Sequence, residues 1–152
     1  MIEVKDNRFG KSVYAAQPIQ KGTIILEGWG PLISERTQHS IQVGPDEHVL
    51  IDGPLQLINH SCEPNCGVAI HNETQSLEIH AIQEIASGEE LYIDYATFEF
   101  EIEHFPNRCL CQKPGCRGTI TGFKDLPEHV RESYGHYIAK HLREMTADVA
   151  GR

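Results

Sequence analysis

The chain has 152 residues and a formal net charge of −9, and this length fits one domain that can bury its own core. Residues 1–107 contribute −12 and residues 108–152 contribute +3. The acidic body argues against direct nucleic-acid binding and favours a basic protein or peptide partner, with solubility alone as the other explanation. Apolar runs such as Val49–Ile51 are too short to cross a membrane, so no membrane span is predicted.

The N-terminus lacks a basic segment followed by an apolar stretch, so no secretory signal is predicted. Three of the five cysteines, Cys109, Cys111 and Cys116, are clustered, which is typical of a metal site and not of a disulfide framework. We therefore expect a reducing, intracellular location, either cytoplasmic or, in a eukaryote, nuclear.

The first two thirds of the chain predict a mainly β protein. Short apolar stretches between glycine and proline residues predict strands and turns over 4–27, and a loop-rich segment over 28–48. Alternating apolar residues on both sides of a polar turn at 72–75 predict a β-hairpin over 67–82. Leu91–Ile93 is a further short strand.

The C-terminal part has a helical pattern. Asp125 and Glu128 can form a capping box, Pro127 suits a first helical turn, and Gly135 is expected to interrupt the helix. The apolar residues that recur at helical spacing are Val130, Tyr134, Ile138, Leu142 and Met145.

The segment Cys109–Cys116 has the pattern C-x-C-x₄-C, which places three thiolates within reach of one tetrahedral zinc ion. The fourth position would hold water at a catalytic site or a protein ligand at a structural one, and the candidates are Cys62, Cys66 and His104. Three ordinary free cysteines are the alternative.

The segment Asn59–Asn65 carries short polar residues that favour turns and local hydrogen bonds. Asn59 and His60 can form a satisfied polar core or part of a site. Cys62 with His60 can form a nucleophile pair, so a cysteine hydrolase is a further hypothesis. The segment Gly88–Tyr95 predicts a turn, a strand and a tyrosine, and by itself it has little functional meaning.

Together these segments resemble the SET-domain family. Asn59–Asn65 is similar to the family's N-H-S-C-x-P-N motif, Gly88–Tyr95 to its G-E-E-L-x-x-D-Y motif, and Cys109–Cys116 to the C-x-C-x₄-C of its post-SET segment. Gly10–Ala15 is similar to the opening G-x-G-V-F-A strand. The resemblance covers about residues 8–118.

The resemblance implies the β-clip SET fold with a pseudoknot, in which Asn59–Asn65 is threaded under the loop near Tyr95. It implies a protein-lysine N-methyltransferase that uses S-adenosylmethionine (AdoMet), with Tyr95 as the catalytic residue. Cys62 would complete one structural zinc site with Cys109, Cys111 and Cys116, leaving Cys66 outside it. The residues expected at the cofactor are Lys11, Ser12, Val13, His39, Asn59, His60 and Leu110.

The implied layout is a SET domain over 1–107 with a short insertion at about 34–50, a post-SET zinc segment over 108–118 and a helical tail over 119–152. Ser12 replaces the second glycine of G-x-G, and Ile93 occupies the place of an aromatic residue that limits the number of methyl groups. A catalytically silent SET-like binding module is the alternative that these departures favour. The oligomeric state is not predicted.

Overall fold

The computed structural model describes residues 1–7, 10–102 and 108–150, with the side chains of the last helix through Thr146. Strands dominate the body and helices follow at the C-terminus, which confirms the mainly β prediction. The elements within the described residues are β1 (Ile2–Asn7), β2 (Gly10–Ala15), β3 (Ile24–Trp29), β4 (Leu32–Ile33), β5 (Ser40–Gly44), β6 (Glu47–Leu50), β7 (Asn59–His60), β8 (Cys66–His71), β9 (Ser76–Ala81), β10 (Tyr92–Ile93), α1 (Glu128–Tyr134) and α2 (Lys140–Ala150).

The predicted hairpin, β8 and β9, belongs to a three-stranded antiparallel sheet with the order β3-β9-β8, in which β9 is central. Val68, Leu77, Ile79 and Ala81 are buried and Ile70 is partly buried, because alternate residues of a strand point to the same face. The hairpin prediction is confirmed. β1 and β2 form a separate antiparallel pair, and β2 carries the buried Val13.

The loop-rich prediction for residues 28–48 is wrong, because β4, β6 and β5 form a second antiparallel sheet there. Gly30 and Pro31 are typical of a loop, but in this structure they lie where the chain closely approaches the segment at Leu50. A Cβ on Gly30 would lie 1.9 Å from the Leu50 carbonyl oxygen, and the Leu50 amide donates to the Pro31 carbonyl at 3.0 Å. The sheet packs through the buried Ile41 and Val49.

The C-terminal helices pack on the β body. Ile138 and Leu142 are buried, and the Ala139 amide donates to the Thr97 carbonyl at 2.9 Å. Gly135, with a φ of 55°, interrupts the helical segment as predicted. Among the described residues, no helix combines the length and apolar character that a membrane span needs.

The predicted capping box is wrong. Residue 127, a proline, stands at the N-cap of α1 with no side-chain cap, and Asp125 instead ends a separate 3₁₀ turn, Phe123–Asp125. The turn takes the residues that would have preceded the helix, so the Asp125 carboxylate does not reach the first turn of α1.

Candidate active site and four-cysteine cluster

Two motifs that are distant in the sequence meet as a pair of parallel strands. Asn59 of β7 lies opposite Tyr92 of β10, and His60 opposite Ile93. The Ser61 amide extends the contact by donating to the Ile93 carbonyl at 3.0 Å. This pairing is the contact that the predicted SET fold with its pseudoknot requires.

Asn65 links the same two segments through its side chain. Its Nδ2 donates to the Glu90 carbonyl at 2.9 Å, and its Oδ1 accepts from the Tyr92 amide at 2.9 Å. Both polar atoms of the amide therefore take the place of backbone partners. We call Asn59–Asn65 the first motif and Gly88–Tyr95 the second motif. The two bonds explain why a buried asparagine ends the first motif.

Tyr95 begins a 3₁₀ turn, Tyr95–Thr97, directly after β10. Its hydroxyl donates to the Ile58 carbonyl at 2.9 Å. Burial raises the pKa of the Tyr95 hydroxyl, and the nearby negative charge of Glu90 raises it further, so the phenol stays neutral at physiological pH.

His60 holds the backbone of Tyr95. Its Nδ1 accepts from the Tyr95 amide at 3.1 Å, and the two rings lie 5.2 Å apart between centroids. Burial lowers the pKa of His60 to about 4, so the ring is neutral and carries its proton on Nε2.

Tyr95 lines two cavities. One is a cleft of about 310 Å³, whose walls also include Asn59, His60, Glu90 and Leu110. The other is a narrow cavity of about 30 Å³, whose walls also include Ile93 and His39. Here we call these two spaces the cleft and the narrow cavity. A residue that lines both can contact a group bound in either one.

The structure brings most of the predicted cofactor residues to the cleft or beside it. Asn59, His60 and Leu110 line it, and Leu110 is 50% exposed. Ser12 is fully buried and its hydroxyl lies 2.7 Å from Asn59 Nδ2. Val13 has a buried side chain, and its backbone carbonyl accepts a hydrogen bond from the Leu91 amide at 2.8 Å.

Two predicted cofactor residues lie elsewhere. Lys11 is exposed on β2, and His39 is exposed on the wall of the narrow cavity, where its Nε2 lies 3.1 Å from Gln38 Nε2. The structure therefore does not bring His39 to the cleft. Its role at the cofactor stays a prediction.

Four cysteine sulfurs form a cluster beside the cleft. The Sγ atoms of Cys62, Cys109, Cys111 and Cys116 all lie within 4.8 Å of one another, and those of Cys62 and Cys109 are 3.7 Å apart. A tetrahedral zinc site with Zn–S distances of about 2.3 Å requires sulfur separations of about 3.8 Å. The donor set and its spacing therefore fit zinc.

Backbone amides surround the sulfurs as they do in structural metal sites. The Arg117 amide lies 3.3 Å from Cys62 Sγ, and the Gly118 amide 3.4 Å from Cys116 Sγ.

The other two candidates for the fourth ligand are not in the cluster. Cys66 is buried on β8, outside it, and His104 lies outside the described residues. Burial raises the pKa of Cys62 to about 11, which is opposite to what an activated nucleophile needs.

One carboxylate joins the cysteine segment, the tail and the 3₁₀ turn. Asp94 Oδ1 accepts from Arg117 Nη2 at 2.9 Å and from the Ala96 amide at 3.0 Å, and Oδ2 accepts from the Tyr134 hydroxyl at 2.7 Å. The Asp94 side chain is fully buried. We call Asp94, Arg117 and Tyr134 the Asp94 network.

The Asp94 network and the Glu90 side chain are parts of the site that the motifs did not predict. Asp94 lies next to Tyr95, and Arg117 follows Cys116, so their neighbours in the chain could have indicated them. The helical spacing predicts Tyr134 on the apolar face of a helix. Its contact with Asp94 joins residues 40 positions apart, and no local pattern indicates it.

With this geometry established, comparisons with known proteins define the class. A family model described as the SET domain matches residues 10–96, which is more than half of the chain. The chain therefore belongs to the SET-domain family.

Several curated relatives carry names of histone-lysine N-methyltransferases. The chain is 33% identical over 132 residues to ash1 of Drosophila melanogaster, with 74% of this chain and 6% of the relative covered. It is 32% identical over 165 residues to ATX2 of Arabidopsis thaliana, with 91% and 15% covered. The chain thus spans only a small part of these relatives.

A solved structure gives the same fold. The crystal structure of a Plasmodium falciparum protein described as a candidate histone methyltransferase superposes with a TM-score of 0.54 and 22% sequence identity, and the match covers 62% of this chain and 96% of that one. The predicted SET fold is confirmed.

Proposed function

We propose that this chain is an AdoMet-dependent protein-lysine N-methyltransferase that acts on a lysine in a basic protein segment. The observation that carries the proposal is that Tyr95 lines both the cleft and the narrow cavity. Relatives at about a third identity are named for this activity. The acidic body suits a basic substrate.

The cleft suits the cofactor. Its volume of about 310 Å³ falls at the lower end of the range for small-molecule sites. Glu90 supplies a negative charge and Leu110 an exposed apolar surface, which match a sulfonium compound that also carries an adenine ring. When bound, AdoMet would supply an electrophilic methyl group.

The residues of the chain would act mainly by positioning. The narrow cavity admits only a slender group, and exclusion of water there favours the neutral form of a lysine amine. The neutral Tyr95 hydroxyl can orient that amine, because it already donates to the Ile58 carbonyl and its oxygen can accept a hydrogen bond. Well-oriented reactants can lower a barrier by about 7–11 kcal/mol.

The four-cysteine cluster would hold one structural zinc ion. With four sulfur ligands there is no open position for an activated water, so the metal would stabilise the 108–118 segment as a wall of the cleft. Leu110 lies on this segment and lines the cleft. Such a site would link the segment to Cys62 in the first motif.

Incubation of the purified chain with labelled AdoMet and basic proteins, beside Tyr95→Phe, tests the proposal. We expect labelled lysine with the parent chain and a rate at least about 100-fold lower for Tyr95→Phe, the usual effect of removing a positioned catalytic group. Equal labelling by both would remove Tyr95 from the mechanism. AdoMet binding without transfer to any basic protein would favour a silent binding module.

We also propose that the site permits higher methylation states. Ile93 is buried and lines the narrow cavity beside Tyr95, and its side chain carries no hydroxyl that could hold a water in the space of an added methyl group. Ile93→Tyr should shift the product toward monomethyl-lysine, as measured by mass spectrometry of the substrate. An unchanged product distribution would contradict this role.

A further inference from the structure

Ser12 occupies the place where the family pattern has a glycine, and its side chain has a specific environment. The residue is fully buried on β2. Its Oγ lies 2.8 Å from Asn7 Nδ2 and 2.7 Å from Asn59 Nδ2. Since both neighbours are amide donors, the hydroxyl oxygen accepts from both and connects β1 to the first motif.

Glu90 completes this cluster from the second motif. Its Oε1 accepts from Asn7 Nδ2 at 3.0 Å, and its Oε2 accepts from Asn59 Nδ2 at 3.2 Å. An ionised carboxylate only accepts hydrogen bonds, so the amide group that faces it must be the NH₂ end. The orientation of the Asn59 amide therefore follows from the chemistry of its partner.

This orientation determines what Asn59 offers to a ligand. Within the described residues, the hydrogen bonds of its side chain are those made by Nδ2 to Ser12 and Glu90. These two bonds leave the carbonyl oxygen of the amide as its remaining polar atom. Asn59 and Glu90 both line the cleft, so a donor bound there can reach this oxygen with a carboxylate close by.

We propose that Ser12 and Glu90 are positioning residues of the cleft that hold the Asn59 amide with its oxygen available to a cationic donor of the cofactor. The donor would be an ammonium group, because this group satisfies an amide oxygen and benefits from the nearby carboxylate. The inference rests on the proposed function and deepens it. In this chain the serine hydroxyl adds a hydrogen-bond acceptor at the cofactor site that the family's glycine lacks.

Calorimetric titration of the zinc-loaded full chain with AdoMet tests the inference. Ser12→Gly and Ser12→Ala should each weaken AdoMet binding by about three- to tenfold, the range that corresponds to one lost hydrogen bond. In an Asn59→Ala background, Ser12→Ala should change the dissociation constant by less than twofold, because the group that it positions is gone. KM for AdoMet should rise while kcat at saturating AdoMet stays within twofold.

A charge-matched pair separates Glu90 from general electrostatics. Glu90→Gln should weaken AdoMet binding more than Ser12→Ala does. It replaces a carboxylate that only accepts hydrogen bonds by an amide, and it also removes the negative charge. Glu89→Gln removes the same charge from the adjacent exposed residue and should leave the affinity unchanged. Thermal unfolding of each variant shows whether the fold is retained.

Three results would overturn the inference. Parent-like AdoMet affinity in both Ser12 variants would show that the hydroxyl positions nothing. An equal effect of Ser12→Ala with and without Asn59 would show that it does not act through that amide. Absence of AdoMet binding by the zinc-loaded parent chain would contradict the proposed function itself, and the inference with it.

Discussion

The two walls of the cleft are held together in different ways. The inner wall, formed by β7 and β10, is held by backbone pairing and by the Asn65 amide, which bonds the main chain on both sides. The outer wall, residues 108–118, meets the body mainly through side chains: the cysteine sulfurs, which lie within 4.8 Å of one another, and the Asp94–Arg117 pair. Backbone hydrogen bonds between strands persist through most single substitutions. A segment that depends on a few side-chain contacts can lose its position when one of those side chains is substituted.

The largest effect should come from breaking the sulfur cluster. Cys62→Ser should reduce bound zinc from about one ion per chain to less than half and weaken AdoMet binding at least about tenfold, because structural zinc contributes about 10–16 kcal/mol to ordering its ligands. Metal analysis and calorimetry measure these quantities. Cys66→Ser is the matched control, since Cys66 is also buried but lies outside the cluster. Full zinc content in Cys62→Ser would contradict the proposed ligand set.

The next largest effect should follow from Asp94→Asn. This change leaves the Arg117 guanidinium without its buried counter-charge and weakens the bond from Tyr134, so we expect a loss of about 3–5 kcal/mol in the free energy of unfolding. Denaturant unfolding of the zinc-loaded chain measures it. A loss below 1 kcal/mol would show that the Asp94 network does not hold the outer wall.

Tyr134→Phe should have a smaller effect in the same network. It removes one hydrogen bond to a charged group, for which about 1.5–3 kcal/mol is typical, and should also lower methyl transfer because the Asp94 carboxylate caps the turn that carries Tyr95. Tyr137→Phe is the control: it also removes one tyrosine hydroxyl, whose partner is His80 Nδ1 at 3.1 Å, at a place outside the cleft lining. If both variants lower activity equally, the tail acts only through overall stability.

The smallest effect concerns pH. Burial lowers the pKa of His141, although its hydrogen bond to the Phe98 carbonyl and the charge of Glu144 oppose this shift. The unfolded chain therefore binds a proton that the folded chain does not, and stability should fall as pH decreases through the ordinary histidine range near 6.5. The contribution is at most about 1.4 kcal/mol per pH unit. His60, whose pKa is lowered to about 4, adds to the slope of the parent chain, so the difference between the parent chain and His141→Gln in unfolding at pH 7.5 and 5.5 measures the His141 contribution. An equal slope in the two chains would exclude His141 as a source.

Local patterns were sufficient for much of the fold. The hairpin at 67–82 and the break at Gly135 follow from alternation and from backbone freedom, which adjacent residues determine. The loop predicted over 28–48 is wrong because Gly30 and Pro31 are as typical of a loop as of a close approach between two chain segments. Composition alone does not distinguish the two. The false capping box at Asp125 has a similar cause, since a local motif competed with a 3₁₀ turn that tertiary packing favours.

The sequence by itself determined the family, the β character of the body and three residues that line the cleft, Asn59, His60 and Leu110, because motifs of fixed spacing record which side chains lie together. Only the tertiary structure decided that Tyr134 reaches Asp94, that Asn59 donates to Glu90, and that His39 lines the narrow cavity instead of the cleft. The physical reason is that such contacts depend on chain segments far apart in the sequence, whose meeting is set by the packing of the whole core and leaves no periodic or local trace.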